Sequence, residues 1–242
     1  MAIAAGLAMV AGGAVACAPF GAAGDSPSVD APAEAAGIVH RGTQTGGATD
    51  STTVVADMIP ADADRYFAAI STKPAESVVA VAGLGLSWSH VDTQCGARGQ
   101  TAVEIWTAIG SPPSAGPVTA TFQKVPSAAV IAVARYTGVG SIGTPASANT
   151  AGADGMCIDG IDTASFAIDL PSSPGRALTF GAVALRAHVL TAGAGVSKLI
   201  EVHEGASGST AGIGVLESSA SSLTATLDGM TDWAVIALPL SP

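Results

Sequence analysis

Ala128-Ala129-Val130-Ile131-Ala132-Val133-Ala134 and Phe180-Gly181-Ala182-Val183-Ala184-Leu185 decide how this chain is read. Both runs are continuously apolar and too short for an amphipathic helix. An unbroken apolar run of this length suits a strand whose two faces are both covered. Outward from them the pattern changes to alternation. In Thr101–Ala108 (TAVEIWTA), Val103, Ile105 and Thr107 share one face, and Glu104 and Trp106 the other. In Thr119–Phe122 and Thr224–Leu227, Thr alternates with Ala and a larger apolar residue, as in outer strands with one wet face. Gly, Pro, Ser, Asn or Asp breaks the runs every 8–12 residues, the spacing of a sandwich or barrel.

Candidate strands are Ile38–Gln44, Thr52–Asp57, Arg65–Ser71, Ser77–Ala82, Ser87–Val91, Ala102–Ile109, Val118–Phe122 and Ala129–Tyr136. After a stretch rich in Gly, Ser and Asn come Ser165–Leu170, Ala177–Leu185, Lys198–Glu204, Ala211–Glu217, Ser222–Leu227 and Trp233–Leu238. No long window of this region carries a capped helical stripe. The expected fold is all-β, an antiparallel β-sandwich formed by residues 38–242.

Of the 242 residues 48% are hydrophobic but only 4% aromatic, so the core is built from small side chains with few large anchors. The 12% of charged residues is about half the usual share, as in exported modules and in subunits that bury surface in an assembly. Nine Lys and Arg against a net charge of −10 exclude nucleic-acid binding, which needs a basic face.

Residues 1–23 (MAIAAGLAMVAGGAVACAPFGAA) are small and apolar, and three readings stay open for them. Ile3–Ala16 fits the apolar stretch of a signal peptide, although a basic start is missing. Ala14-Val15-Ala16-Cys17 is a weak lipoprotein box, with Cys17 as the lipidated residue. Otherwise the segment is retained and packs on a neighbouring subunit as an added strand. Gly and Ala dominate it too heavily for a spanning helix. Residues 24–37 (GDSPSVDAPAEAAG) read as a linker.

Gly83-Leu84-Gly85-Leu86-Ser87-Trp88, then Val91 and Gln94-Cys95, is similar to a "GLGLTW…V…QC" signature of a module repeated in large bacterial exported proteins. Val103-Glu104-Ile105-Trp106, Ala129–Val139, Gly155-Met156-Cys157, Thr191–Gly195 and Asp232-Trp233-Ala234-Val235 follow in the same order. The resemblance runs from about Val39 to Leu240. It implies a jelly-roll-like sandwich of surface, adhesive and phage-associated proteins, with structural motifs and no catalytic residues.

Cys95 and Cys157 each lie in a Gly-rich loop (QCGARG, GMCIDG). An exported protein would oxidise them to one inter-loop disulfide; two unpaired buried thiols are the alternative. Without a His pair they fall short of a zinc set. Asn149, Asp154, Asp159 and Asp162 share one loop, and their hard oxygens are calcium-type ligands. The spacing is not that of an EF-hand, and Asp in Gly-rich turns commonly bonds its own backbone. No other cofactor is expected.

Trp88 and Trp106 either anchor the core or stack on a sugar. His90 and Asp92 are expected on one face, while His203 and its neighbour Glu204 point apart. No Gly-x-Ser-x-Gly accompanies them. Glu104, Glu201 and Glu204 are strand carboxylates of the kind glycosidases use, but the aromatics that line sugar clefts are scarce. The chain therefore reads as a non-enzymatic extracellular or cell-surface protein. The first reading is a structural subunit of a filament, coat or similar assembly, partnered by copies of itself or other surface proteins. The second is an adhesin or glycan-binding module.

Overall fold

The computed structural model describes residues 37–170 and 175–242, and every regular element among them is a β-strand. The first eight are β1 (Val39–Thr49), β2 (Thr53–Ile59), β3 (Arg65–Lys73), β4 (Val78–Gly83), β5 (Trp88–Cys95), β6 (Ala102–Ile109), β7 (Gly116–Phe122) and β8 (Ala128–Thr137). Next come β9 (Ser141–Ile142), β10 (Ala146–Asn149), β11 (Gly152–Ala153), β12 (Thr163–Asp169) and β13 (Leu178–Ala184). The last five are β14 (Leu190–Ala192), β15 (Val196–Glu204), β16 (Ala211–Ser218), β17 (Ser222–Thr231) and β18 (Ala234–Ser241). The Lys198–Glu204 and Ala211–Glu217 runs match β15 and β16 to within two residues at each end. β10 and β14 fall where Ser, Asn, Ala and Gly gave no strand pattern.

The strands form four antiparallel sheets, two large and two small. One large sheet has the order β1-β8-β3-β6-β5, and its small partner is β2-β7-β4. The other large sheet runs β11-β10-β18-β13-β16-β15, with β9 also on β18, and its small partner is β12-β17-β14. The four stack as layers, small, large, large, small, with an apolar core in each gap.

This stack explains the two deciding runs. Ala128, Val130, Ala132, Ala134 and Tyr136 of β8 face the central gap between the large sheets. Ala129, Ile131 and Val133 of the same strand face the β2-β7-β4 layer. On β13, Phe180, Ala182 and Ala184 face the central gap, and Val183, with Leu185 just after the strand, faces β12-β17-β14. Both faces are dry, so no position is left for a polar residue. Phe67 and Phe180 stack at 5.0 Å across the central gap, and Tyr136 meets both edge-on, at 5.7 and 6.2 Å.

The order of the strands repeats. If β10 and β12–β18 are counted as a second set of eight, each half has the order first-eighth-third-sixth-fifth in its large sheet and second-seventh-fourth in its small one. That is the jelly-roll order with the fifth strand moved beside the sixth. The molecule is thus two jelly rolls packed face to face through their large sheets, in one compact unit.

The amino acids echo the repeat. β7 carries Val118-Thr119-Ala120-Thr121-Phe122 and β17 carries Leu223-Thr224-Ala225-Thr226-Leu227. The fourth strands end in Ala82-Gly83-Leu84-Gly85 and Ala192-Gly193-Ala194-Gly195, with Gly85 and Gly195 at φ 67° and 73°. The fifth and sixth strands are joined through Gly96-Ala97-Arg98-Gly99-Gln100-Thr101-Ala102 in one roll and Gly205-Ala206-Ser207-Gly208-Ser209-Thr210-Ala211 in the other. In both loops the second glycine has positive φ, 62° at Gly99 and 85° at Gly208, which a side chain would strain.

The rolls are tied by more than apolar contact. Cys95, closing β5 of the first roll, is disulfide-bonded to Cys157 of the second, with Cα atoms 5.5 Å apart. The disulfide fits an oxidising, non-cytoplasmic compartment. No helix among the described residues is long and apolar enough to cross a membrane. Cys17, the leader and most of the linker lie outside the described residues.

Candidate functional site

Asp232 stands just before β18 in the second roll and is 0% exposed. Its carboxylate reaches the β5–β6 loop of the first roll and accepts the Gln100 amide at 3.1 Å, the Arg98 amide at 3.3 Å and the Thr150 hydroxyl at 3.2 Å. Gly96 allows this approach, since a Cβ there would overlap the carboxylate. Asn149 adds a second clamp, its Nδ2 donating to the carbonyls of Cys95, Gly155 and Met156 at 2.8–3.1 Å. These groups hold backbone in place and leave no free chemistry.

The acidic loop does not gather around a cation. Asp154 accepts the Ser147 hydroxyl at 3.1 Å, Asp162 pairs with Arg98 at 2.7 Å, and Asp159 is an exposed turn residue at φ 65°. Among the described residues no group of three or more His, Cys, Asp or Glu is placed to hold a metal. Asp154, Asp159 and Asp162 are thus not brought together, and turn geometry and Arg98 account for these side chains. The same loop exposes three large apolar side chains, Met156 (68%), Ile158 (57%) and Ile161 (79%), beside the disulfide that anchors it.

His90 and Asp92 do not share a face. A bulge places Val91 as an extra residue between them, so His90 lies opposite Trp106 while Asp92 lies opposite Ile105. His90 Nε2 instead meets the Thr93 hydroxyl at 2.7 Å and stands 3.8 Å from Glu104. Trp88 and Trp106 are half-buried against the core between the small and large sheets of the first roll. Trp88 Nε1 donates to the Gly83 carbonyl at 3.2 Å, and Trp106 Nε1 donates to Glu104 at 3.1 Å. Both work first as packing residues, and Trp106 also fixes a carboxylate.

That carboxylate lines a cleft of about 550 Å³. The cleft lies on the side where β4 and β5, neighbours in an ordinary jelly roll, belong to different sheets. Glu76 and Ser77 line it before β4, Thr93 and Gln94 on β5, Gln123 and Lys124 after β7. Glu104 is 4% exposed and accepts the Val78 amide at 2.9 Å through its other oxygen. Burial pushes its carboxyl above the usual range, against the pull of the Val78 and Trp106 hydrogen bonds.

The second roll holds a similar arrangement, on its fifth strand instead of its sixth. Glu201 on β15 accepts the Leu190 amide at 3.1 Å, at the start of that roll's fourth strand, as Glu104 accepts Val78. Here the carboxylate is neutralised from within: Lys198 Nζ lies 2.7 Å away and His203 Nε2 3.0 Å away. Burial is the largest single influence on Glu201 and pushes it up, but the Lys198, His203 and Leu190 hydrogen bonds together hold it below the usual range. Glu204 points to the opposite face, towards Gly47 of β1, so His203 and Glu204 point apart as expected. A separate concavity of this roll, lined by Arg186, His188 and Met230, holds about 100 Å³.

No family model, no curated protein and no solved structure matches this chain. Glu104, Glu201 and Glu204, the strand carboxylates of glycosidase type, are not gathered in one site, and the Asp232 clamp and the Lys198–Glu201 pair have no forerunner in the sequence pattern. Asp232 entered only as part of a closing-strand motif, which does not announce its role, because its Arg98 and Gln100 partners lie more than 130 residues earlier in the first roll.

Proposed function

We propose that the protein is a non-enzymatic extracellular structural module that assembles with copies of itself or with other surface proteins into a filament, coat or similar layer. The observation that carries this reading is the loop bearing Met156, Ile158 and Ile161. It presents large apolar side chains to solvent while the disulfide, the Asn149 clamp and the Arg98–Asp162 pair hold its backbone. Scattered exposed apolar residues are ordinary, but three on one fastened loop form a contact element. The doubly covered large sheets add stiffness. Sedimentation velocity across a concentration series tests the reading. The expected result is reversible association that is lost when Met156, Ile158 and Ile161 are all changed to Ser. A monomer at every concentration, identical to the triple variant, refutes it.

The cleft over Glu104 favours a second reading, a secreted or surface-anchored glycan-binding module. Its size falls within the usual range for small-ligand sites, and amides and hydroxyls surround the carboxylate. The resemblance to adhesive surface modules points the same way.

A further inference from the structure

We infer that the cleft of the first roll binds a sugar unit bearing a primary amine, whose ammonium sits on Glu104 as Lys198 sits on Glu201 in the second roll. This inference rests on the glycan-binding reading and adds to it the ligand's charge.

The two rolls offer an internal comparison. Each turns one carboxylate towards the backbone amide at the start of its fourth strand, Glu104 to Val78 and Glu201 to Leu190. In the second roll Lys198 Nζ completes the arrangement, 2.7 Å from Glu201 and 2.7 Å from the Leu190 carbonyl. The Lys198 ammonium thus occupies the position beside the carboxylate. In the first roll no Lys or Arg among the described residues lies within 4 Å of Glu104; His90 at 3.8 Å is the nearest basic group. A buried carboxylate without a cation is costly, and here it opens onto about 550 Å³ of space instead of packed side chain.

The remaining lining states what else the ligand carries. Ser77, Thr93, Gln94 and Gln123 offer hydroxyls and amides, which pair with sugar hydroxyls as donors or acceptors. Gln94 is held in place through Nε2, which donates to Gly155 at 2.8 Å. Lys124, an exposed rim residue, faces the ligand's oxygens.

Glucosamine and glucose, alike in ring hydroxyls but differing in charge, are titrated into ¹⁵N-labelled protein, with the Val78 amide and Trp106 indole signals as reporters. Glucosamine is expected to bind at least about tenfold tighter than glucose, and Glu104→Gln to remove that preference. Thr93→Lys, which plants an ammonium in the cleft as Lys198 does in the other roll, is expected to block both sugars. Thermal melts check that both variants fold. Should Glu104→Gln not fold, the glucosamine-to-glucose ratio and the Thr93→Lys result decide alone. Equal affinity for the two sugars, or loss of neither on Thr93→Lys, overturns the amine assignment but leaves glycan binding standing. No response to either sugar at roughly tens of millimolar overturns both.

Discussion

Replacing both Cys95 and Cys157 by Ser tests the covalent tie between the rolls. The bridge closes a loop of 62 residues. In the chain-entropy account, forbidding such a loop in the unfolded chain removes about 14 cal/mol/K, so its loss costs about 4 kcal/mol at 25 °C. The folded state itself should change little. The central gap keeps its apolar contacts, and Asp232 and Asn149 still hold the β5–β6 loop. The double variant is therefore expected to keep the wild-type far-ultraviolet circular dichroism. Its urea midpoint should fall by an amount that, multiplied by an unchanged slope, gives about 4 kcal/mol. Thiol titration of unreduced, denatured wild type should find Cys95 and Cys157 unreactive, and reduction should add two thiols to the count. A loss below about 1 kcal/mol, or reactive Cys95 and Cys157 before reduction, would refute the reasoning.

Phe180→Ala removes the ring that stacks on Phe67 and meets Tyr136, and is expected to cost about 3–5 kcal/mol by denaturant unfolding, since the doubly covered sheets cannot close on the cavity. Asp232→Ala leaves the Gln100 and Arg98 amides unpaired and should cost about 2–4 kcal/mol while slowing no apolar packing step; hydrogen exchange at those two amides should rise selectively. Asp62, bonded to Arg135, and Glu201, bonded to Lys198 and His203, both have carboxyls below their ordinary values. The unfolded chain therefore takes up protons first, so stability is full above about pH 4.5 and falls as pH drops through the lowered native values; melts from pH 6 down to 2 should show it, and Glu201→Gln should flatten the slope. Ala at Gly46 should destabilise by more than about 1 kcal/mol, because its Cβ would overlap the Val55 carbonyl where β1 crosses β2.

Much of the architecture was legible because it rests on local pattern. Ala128–Ala134 and Phe180–Leu185 announced doubly covered strands, and the alternation in Thr101–Ala108 put Ile105 on the face of the central gap and Glu104 on the opposite one, although that second face is buried too. The disulfide followed from two cysteines in Gly-rich loops. The division into two rolls was not legible in the same way. Its echoes are short, such as Thr-Ala-Thr in β7 and β17, and lie more than 100 residues apart among common small residues. The bulge at Val91 also escaped, since one extra residue changes the face of everything beyond it without altering composition. The cleft depends on β4 and β5 parting into different sheets, and pairing between sheets is a tertiary outcome that no single run encodes.

A symmetric dimer of identical rolls must accept every substitution twice, once on each side of its dyad. Two rolls carried on one chain escape that constraint, so a lysine can enter one without entering the other. The doubled fold described here has used that freedom: one half sets a lysine of its own against a strand carboxylate, and the other leaves its carboxylate facing a cleft.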